Sequence, residues 1–256
     1  MKIVQFFFIQ AVLFAIILTS ASAKNLKYYP HLTTQINPKL PIHTAYNLLL
    51  QKYVSNSGKV NYKGFKKDIL KLQSYLNSLK STHVNALPQN EQLAFWINVY
   101  NACTIDQVLR NYPCASIKEI ENGKVWDKPL PYPFYGEKIS LNDIEQQKLL
   151  QQFNDPRIHF AINCAALSCP KLSNIAFTGQ NVQQLLNSQT ILFINNPIYN
   201  NFDDKKIMLS QIFNWYKTDF VKSDGGVLAF VNKYAKTKIN ESLTPNFIYY
   251  NWDLNE

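Results

Sequence analysis

The segment from Glu91 to Asn111 carries the strongest helical pattern of this 256-residue chain, and it constrains the fold more than any other segment. Its apolar residues recur at helical spacing, and the pattern stops at Tyr112-Pro113, as helices tend to do one residue before a proline. Because the stripe through Ala94 and Val108 is mainly apolar, this face of the helix is expected to be buried. The segment therefore predicts one long core helix.

Two amide side chains interrupt that apolar stripe. Asn98 and Asn101 lie three residues apart, so they share one face of the helix. Buried amides need partners, because each unpaired polar group costs about 1–3 kcal/mol. Either the two residues tie loops to the helix, or they line a site in which Asn98 is a candidate oxyanion donor and Asn101 a candidate substrate-binding residue.

Other patterns predict mostly helices with a few short strands. Ser140 is a predicted N-cap, and Asp143 and Glu145 place negative charge at the positive end of the helix that follows. Apolar and other side chains alternate from Arg157 to Cys164, which indicates a short buried strand. The expected fold class is α+β, a predominantly helical single domain with a small sheet that carries the His159 to Cys164 strand. Further helices are predicted at 42–53, 65–79, 140–152, 181–188, 210–220 and 226–235, and a hairpin at 200–206 with its flanks.

The first 23 residues are typical of a secretory signal peptide. Lys2 precedes an apolar run from Ile3 to Leu18, and Ala21-Ser22-Ala23 forms a small-residue cleavage site. The run is shorter than the roughly 20 apolar residues that span a bilayer, so cleavage near Ala23 is expected rather than a retained anchor. The protein would then be periplasmic or extracellular, with no transmembrane span in the mature chain. A proline-broken arm is expected at 24–40 and one domain at 41–256.

The chain lacks the sequence patterns of several functional classes. Only seven residues are glycine, and no segment matches the phosphate-binding loops GxxxxGK[ST] or GxGxxG, which argues against nucleotide hydrolysis and dinucleotide-dependent hydride transfer. The formal charge of +9 comes from scattered lysines, without the clustered arginines or stacking motifs of a nucleic-acid module. We therefore expect no cofactor, no metal and no nucleic-acid partner.

The segment from Asp155 to Pro170 is the most chemically loaded part of the sequence, since it holds His159 and two of the four cysteines. In a strand, His159 and Asn163 share one face and Cys164 points to the other, so a direct pair of Cys164 and His159 is disfavoured. Cys169 lies beyond a turn and can fold back over the His159 face as a thiolate nucleophile.

Two other interpretations of this segment stay open. Export favours disulfides over free thiols, so Cys164 and Cys169 are also candidates for a small disulfide loop. A metal site of His159, Cys164 and Cys169 is a third alternative, although no second His or carboxylate lies at ligand spacing. Glu145, whose helix leads into this segment, either orients His159 or is solvated helix surface.

Five blocks of the chain carry a family resemblance: AFWINVYNA at 94–102, ISLNDIE at 139–145, DPRIHFAINC at 155–164, SCP at 168–170 and YNWDLN at 250–255. In this order they resemble the signature blocks of the family called domain of unknown function 547. A weaker piece, Gly58 to Tyr62, extends the similarity to about residue 45, so nearly the whole mature chain is covered. One departure is Gln146, where the family often shows His after the Glu.

The resemblance implies motif positions but no reaction, because the family's name states that its activity is not established. Members occur in bacterial envelopes and, fused to other regions, in plants, which fits a signal peptide. Cys103 and Cys114 fall where no family cysteine is expected. The motif positions that the resemblance implies are Asn98, Asn101, Glu145, His159, Asn163, Cys164 and Cys169.

Two functional hypotheses follow from these residues. The first is an exported Cys/His-dependent hydrolase or transferase that acts on amide bonds in the cell envelope. The second is a non-enzymatic envelope module that binds an unidentified peptide, glycan or envelope component in an aromatic groove, with a structural disulfide between Cys164 and Cys169. For the first, the expected catalytic residues are His159, Cys169, Glu145 and Asn98, and the expected substrate-binding residues are Asn101, Asn163 and Cys164.

Overall fold

Helices account for most of the regular structure in the computed structural model, which describes residues 43–203 and 206–256. The predicted class, predominantly helical α+β, is confirmed. The predicted signal peptide (1–23) and arm (24–40) lie outside the described residues. The α-helices are α1 (Thr44–Tyr53), α2 (Tyr62–Phe65), α3 (Ile69–Ser78), α4 (Gln89–Asn111), α5 (Leu141–Asp143), α6 (Val182–Ile194), α7 (Ile212–Trp215), α8 (Lys217–Asp224) and α9 (Val227–Tyr234).

Shorter helical turns connect these elements. Helix α5 continues directly as a π helix, Ile144–Gln151, which covers most of the segment predicted to follow Ser140. In the described part of the chain, no helix is both long and apolar enough to cross a bilayer. The 3₁₀ helices are Lys66–Asp68, Val84–Ala86, Ile117–Gly123 and Pro156–Phe160.

A small sheet of three strands lies in the C-terminal third of the chain. Strand β1 (Asn201–Phe202) pairs antiparallel with β2 (Ile207–Leu209), so the hairpin predicted near 200–206 is confirmed. Strand β3 (Asn246–Phe247) pairs parallel with β2 on its other side. In the register of the sheet, Asn201 pairs with Met208 on one side of β2, and Met208 pairs with Asn246 on the other.

Helix α4 runs through the centre of the protein. Every side chain from Leu93 to Asp106 is buried, so the helix is packed by neighbours on all sides rather than along one stripe. The buried carboxylate of Asp106 is satisfied by Arg110 Nε at 2.7 Å and by the Tyr132 hydroxyl at 2.9 Å. The predicted core helix is therefore confirmed, and its polar residues have specific partners.

Two apolar clusters form the core, and the segment from Asp155 to Pro170 runs between them. The first surrounds α4 and includes Ile158 and Ile162, and the second is rich in phenylalanine and includes Phe160 and Cys169. Trp252, near the C-terminus, packs against both clusters. The segment that holds His159 is thus buried from two sides.

The predicted strand from Arg157 to Cys164 is wrong. Residues Pro156–Phe160 form a 3₁₀ helix, and Asp155 caps it by accepting a hydrogen bond from the Arg157 amide at 3.0 Å. Asp followed by Pro is a helix-start signal, and this local signal prevails over the short alternation of apolar residues. Because two clusters enclose the segment, Ile158, His159 and Phe160 are all buried, and no strand alternation results. The sheet therefore does not carry His159 to Cys164.

Candidate functional site

A cavity of about 340 Å³ opens where the two clusters meet. It brings together four residues that the sequence singled out: Glu145, His159, Cys164 and Cys169. They come from the π helix, the 3₁₀ helix and the turn that follows it, whereas the other walls come from α4, α7 and the C-terminal tail. The remaining lining residues are Tyr100, Trp126, Asn142, Ile162, Pro170, Ile212, Trp215, Tyr216, Tyr250 and Trp252.

The buried carboxylate of the cavity belongs to Glu145. It lies in the first turn of the π helix, just after Ser140, which caps the preceding turn as the sequence predicted. The Asp143 side chain accepts the Ser140 amide in return, which the sequence pattern did not predict. Glu145 is only 5% exposed, so the alternative that it is solvated helix surface is wrong. Its oxygens accept hydrogen bonds from the hydroxyls of Tyr216 at 2.7 Å and Tyr100 at 3.2 Å.

The two tyrosines keep their protons beside this carboxylate. Burial, and after it the charge of Glu145, raises the pKa of Tyr216 above its ordinary value. The same two causes raise the pKa of Tyr100. Both hydroxyls therefore remain donors, and they hold Glu145 without neutralising its charge. Gln146, which stands where the family often has His, is exposed and reaches Glu145 only at 3.4 Å.

His159 is oriented by Asp219 and not by Glu145. Its Nε2 lies 2.8 Å from Oδ2 of Asp219, a residue of α8. A carboxylate accepts only, so the neutral imidazole carries its proton on Nε2 and has a lone pair on Nδ1. Within residues 43–203 and 206–256, Nδ1 forms no hydrogen bond. The predicted direct role of Glu145 is replaced by an indirect one, since the Tyr216 ring that bonds Glu145 also lies 3.9 Å from the His159 ring, centroid to centroid.

Cys169 is held as the hydrogen-bond acceptor of the site. Its Sγ accepts the backbone amide of Cys164 and the hydroxyl of Tyr250, both at 3.1 Å. Burial alone would raise its pKa, but the hydrogen bonds from the Cys164 side chain, from Tyr250 and from the backbone prevail and lower the pKa of Cys169 below its ordinary value. The hydrogen bond to Cys169, followed by burial, raises the pKa of Cys164. Of the two thiols, Cys169 therefore ionises more readily.

The expected disulfide between Cys164 and Cys169 is not formed, and all four cysteines are free thiols. The turn is fixed by hydrogen bonds instead. Asn101 Nδ2 donates to the carbonyl of Ala161 at 2.9 Å, and Asn101 Oδ1 accepts the amide of Asn163 at 2.8 Å. Because these bonds already define the turn, no covalent staple is needed to hold it.

Asn163 and Asn98 are likewise engaged with the backbone and do not line the cavity. Asn163 Nδ2 donates to the carbonyl of Pro170, and its Oδ1 accepts the amide of Ala165, both at 2.8 Å. Asn98 binds both backbone groups of Phe177, at 2.7 Å and 3.0 Å. The structure thus places Asn98, Asn101 and Asn163 behind the site, where they tie loops to α4 and to each other.

Four aromatic rings, Trp126, Trp215, Tyr250 and Trp252, form one side of the cavity, which we call the aromatic wall. Their centroids follow one another at 5.7 Å from Trp126 to Trp252, 4.8 Å from Trp252 to Tyr250 and 4.8 Å from Tyr250 to Trp215. Three of the four tryptophans of the chain belong to this wall. Trp215 is 48% exposed, so the wall reaches solvent.

The structure adds functional residues that the sequence did not single out. Asp219 and Tyr216 lie in the segment predicted as a helix at 210–220, where nothing in the local pattern distinguishes them from other helix residues. Tyr250 and Trp252, by contrast, belong to the block YNWDLN that carried the resemblance. A signal for these two therefore existed in the sequence.

Comparison with known proteins agrees with that resemblance. A family model described as "Protein of unknown function, DUF547" matches residues 84–194. This part of the chain matches the DUF547 family. The DUF547 match contains Glu145, His159, Cys164 and Cys169, whereas Asp219 and most of the aromatic wall lie after it. Searches of curated proteins and of solved structures gave no match.

Proposed function

We propose that the protein is an exported hydrolase or transferase that uses Cys169 and His159 on amide bonds of peptides or cell-wall material. One observation carries the proposal: a hydrogen-bonded thiol of lowered pKa and an imidazole oriented by a carboxylate line the same cavity. A nucleophile, a base and a group that orients the base are the parts that covalent acyl transfer requires. The proposals that the protein is exported and that its substrate lies in the cell envelope rest on the signal peptide expected at residues 1–23.

In this proposal Cys169 is the nucleophile, and His159 is first the base and then the acid. The proton of Cys169 passes to Nδ1 of His159, and the thiolate adds to the carbonyl carbon of the substrate. The carbon–nitrogen bond then breaks, and the leaving amine takes the proton from His159, which leaves a thioester on Cys169. Water or a second amine attacks the thioester while His159 accepts its proton. The carbon–sulfur bond then breaks, and His159 returns the proton to the sulfur to restore the thiol.

The donors around Cys169 also suit the oxyanion of this reaction. The amide of Cys164 and the hydroxyl of Tyr250 each lie 3.1 Å from the sulfur, so they are close to any carbon that bonds to it. Once the sulfur bonds to the carbonyl carbon, it is a weaker acceptor than a thiolate, so both donors become available to the developing negative oxygen. Fixed donors of this kind stabilise tetrahedral intermediates. They replace Asn98, whose amide is already bound to Phe177.

The reaction of p-nitrophenyl acetate with the mature protein tests this proposal. We expect a burst of p-nitrophenol and an acetyl group on Cys169, located by mass spectrometry, and both are lost in Cys169→Ala. His159→Gln should lower the steady-state rate roughly 100-fold, a usual size for the loss of a general base. Cys114→Ser, which removes a half-buried thiol outside the cavity, is the matched control and should behave as the parent. Absence of acetylation at Cys169 in the folded protein overturns the proposal.

The aromatic wall favours a second candidate, a non-enzymatic module that binds its ligand in this cavity. Aromatic faces supply binding area without any chemistry at Cys169. In that case Cys169 would remain unacylated while ligands still bind, so the same measurement separates the two candidates.

A further inference from the structure

The charge of the cavity differs from the charge of the protein as a whole. The chain has 26 Lys and Arg residues against 17 Asp and Glu residues, yet no lysine or arginine lines the cavity within the part of the chain that the structure describes. Glu145 does line it, and Asp219 lies directly behind His159. A negatively charged cavity in a basic protein favours a ligand of positive charge.

Glu145 has the properties of a ligand group for such a cation. It is 5% exposed and receives hydrogen bonds from two neutral hydroxyls, but no Lys, Arg or His pairs with it among the described residues. A buried carboxylate without a counter-charge is costly, and a bound cation would remove that cost. A carboxylate accepts about four hydrogen bonds, so an ammonium group can add to those of Tyr100 and Tyr216.

The aromatic wall adds a second attraction for a cation. The face of a tryptophan or tyrosine ring attracts an ammonium group that lies within about 6 Å of its centroid. Trp252 already has one such contact on the surface, with Nζ of Lys118 at 5.1 Å from its centroid. Trp126, Trp215 and Tyr250 line the same cavity as Glu145. Aromatic faces combined with a carboxylate are the elements from which proteins build ammonium sites.

We propose that this cavity selects a substrate that carries an alkylammonium group, such as a lysine-like side chain, and holds it between Glu145 and the aromatic wall. As a statement about the substrate of Cys169, this rests on the proposed function. The alkyl chain would lie against Trp215 and Trp252, and the ammonium group would donate to the oxygens of Glu145. Hydrolysis or transfer at Cys169 would then occur on amides that lie near a positive charge.

Binding of two matched ligands tests the inference. N-acetyl-lysine amide and N-acetyl-norleucine amide share an apolar chain, and only the first carries an ammonium group. Tryptophan fluorescence reports binding, because three of the four tryptophans line the cavity. In Cys169→Ala, which prevents chemistry, we expect the lysine derivative to bind at least about tenfold more tightly than the norleucine derivative.

Variants assign that preference to the cavity. In the same background, Glu145→Gln should bring the two affinities to within about twofold of each other. Glu137→Gln, which alters an exposed carboxylate paired with Lys148, is the matched control and should keep the full preference. If Glu145→Gln does not fold, Trp215→Leu, at a half-exposed position, still tests the wall and should weaken the lysine derivative more than the norleucine derivative.

The results distinguish this inference from the proposed function. Equal affinity for the two ligands, or a preference that survives in both Glu145→Gln and Trp215→Leu, overturns the ammonium site even if p-nitrophenyl acetate acylates Cys169. A preference lost in these variants, without acylation of Cys169, supports the ammonium site in a protein that binds its ligand and does no chemistry.

Discussion

Asp219 and His159 lie 60 residues apart in the sequence, and their side chains meet at 2.8 Å at the back of the cavity. The His159 side chain is 1% exposed and the Asp219 side chain 35% exposed. The histidine is therefore buried, whereas its carboxylate partner reaches solvent. This contact fixes the tautomer of His159 and directs Nδ1 away from Asp219. It is the relationship on which the proposed role of His159 depends most directly.

Asp219→Asn should therefore abolish most of the turnover of p-nitrophenyl acetate while leaving the fold intact. The amide can donate to Nε2 and favour the wrong tautomer, so we expect the rate to fall by roughly 100-fold or more. Asp224→Asn, on the same helix and paired with Lys233, is the control. Equal rates for Asp219→Asn and the parent would exclude an orienting role for Asp219.

Tyr250 should control the pH dependence of thiol reactivity. Its hydroxyl donates to Cys169 and stabilises the thiolate, so Tyr250→Phe should raise the pKa of Cys169. The pH profile for alkylation of Cys169 by iodoacetamide, measured by peptide mapping, should therefore shift to higher pH. Tyr249→Phe alters the neighbouring exposed hydroxyl and should leave the profile unchanged. A profile that does not move in Tyr250→Phe would show that this hydrogen bond does not set the reactivity.

Asn98 should matter for stability rather than for chemistry. Asn98→Ala leaves the backbone N–H and C=O of Phe177 without partners in the core, which should lower the free energy of unfolding by roughly 2–4 kcal/mol. Urea unfolding measures this loss, and Asn90→Ala on the exposed start of α4 should change stability by less than about 0.5 kcal/mol. In the folded fraction of Asn98→Ala, alkylation of Cys169 should keep its normal rate. If Asn98→Ala is as stable as the parent but its Cys169 is unreactive, Asn98 contributes to the site and not to stability.

His43 should make the protein less stable in mild acid. Burial lowers its pKa from 6.5 to about 4 in the folded state, so the unfolded chain binds a proton that the folded protein does not. The free energy of unfolding should therefore fall as the pH decreases from 6.5 to 4, by about 3 kcal/mol in total from this residue.

Urea unfolding at pH 7 and pH 4.5 measures this effect. Between these two pH values, His43→Gln should lose clearly less stability than the parent. His83→Gln, at an exposed position, should lose as much stability as the parent. Equal losses in the parent and His43→Gln would assign the acid sensitivity to other groups.

The strand assigned to Arg157–Cys164 shows where reasoning from sequence failed. Alternation over eight residues resembled a strand, but the Asp155-Pro156 start signal and burial from two sides produced a 3₁₀ helix. Cys169 and His159, which the sequence singled out as parts of one site, do line the same cavity. The disulfide was expected from the compartment, and hydrogen bonds from the asparagines perform its structural role instead.

The sequence by itself determined the helical core, the capping of the helix that carries Glu145, and the segment that holds His159 and Cys169, because each of these depends on residues close together in the chain. Only the tertiary structure decided which groups meet. The contacts of Asp219 with His159, Tyr216 with Glu145, Tyr250 with Cys169 and Trp252 with Trp126 join residues that lie 60 to 126 positions apart. Contacts of that kind depend on how the two apolar clusters pack, and no local pattern encodes them.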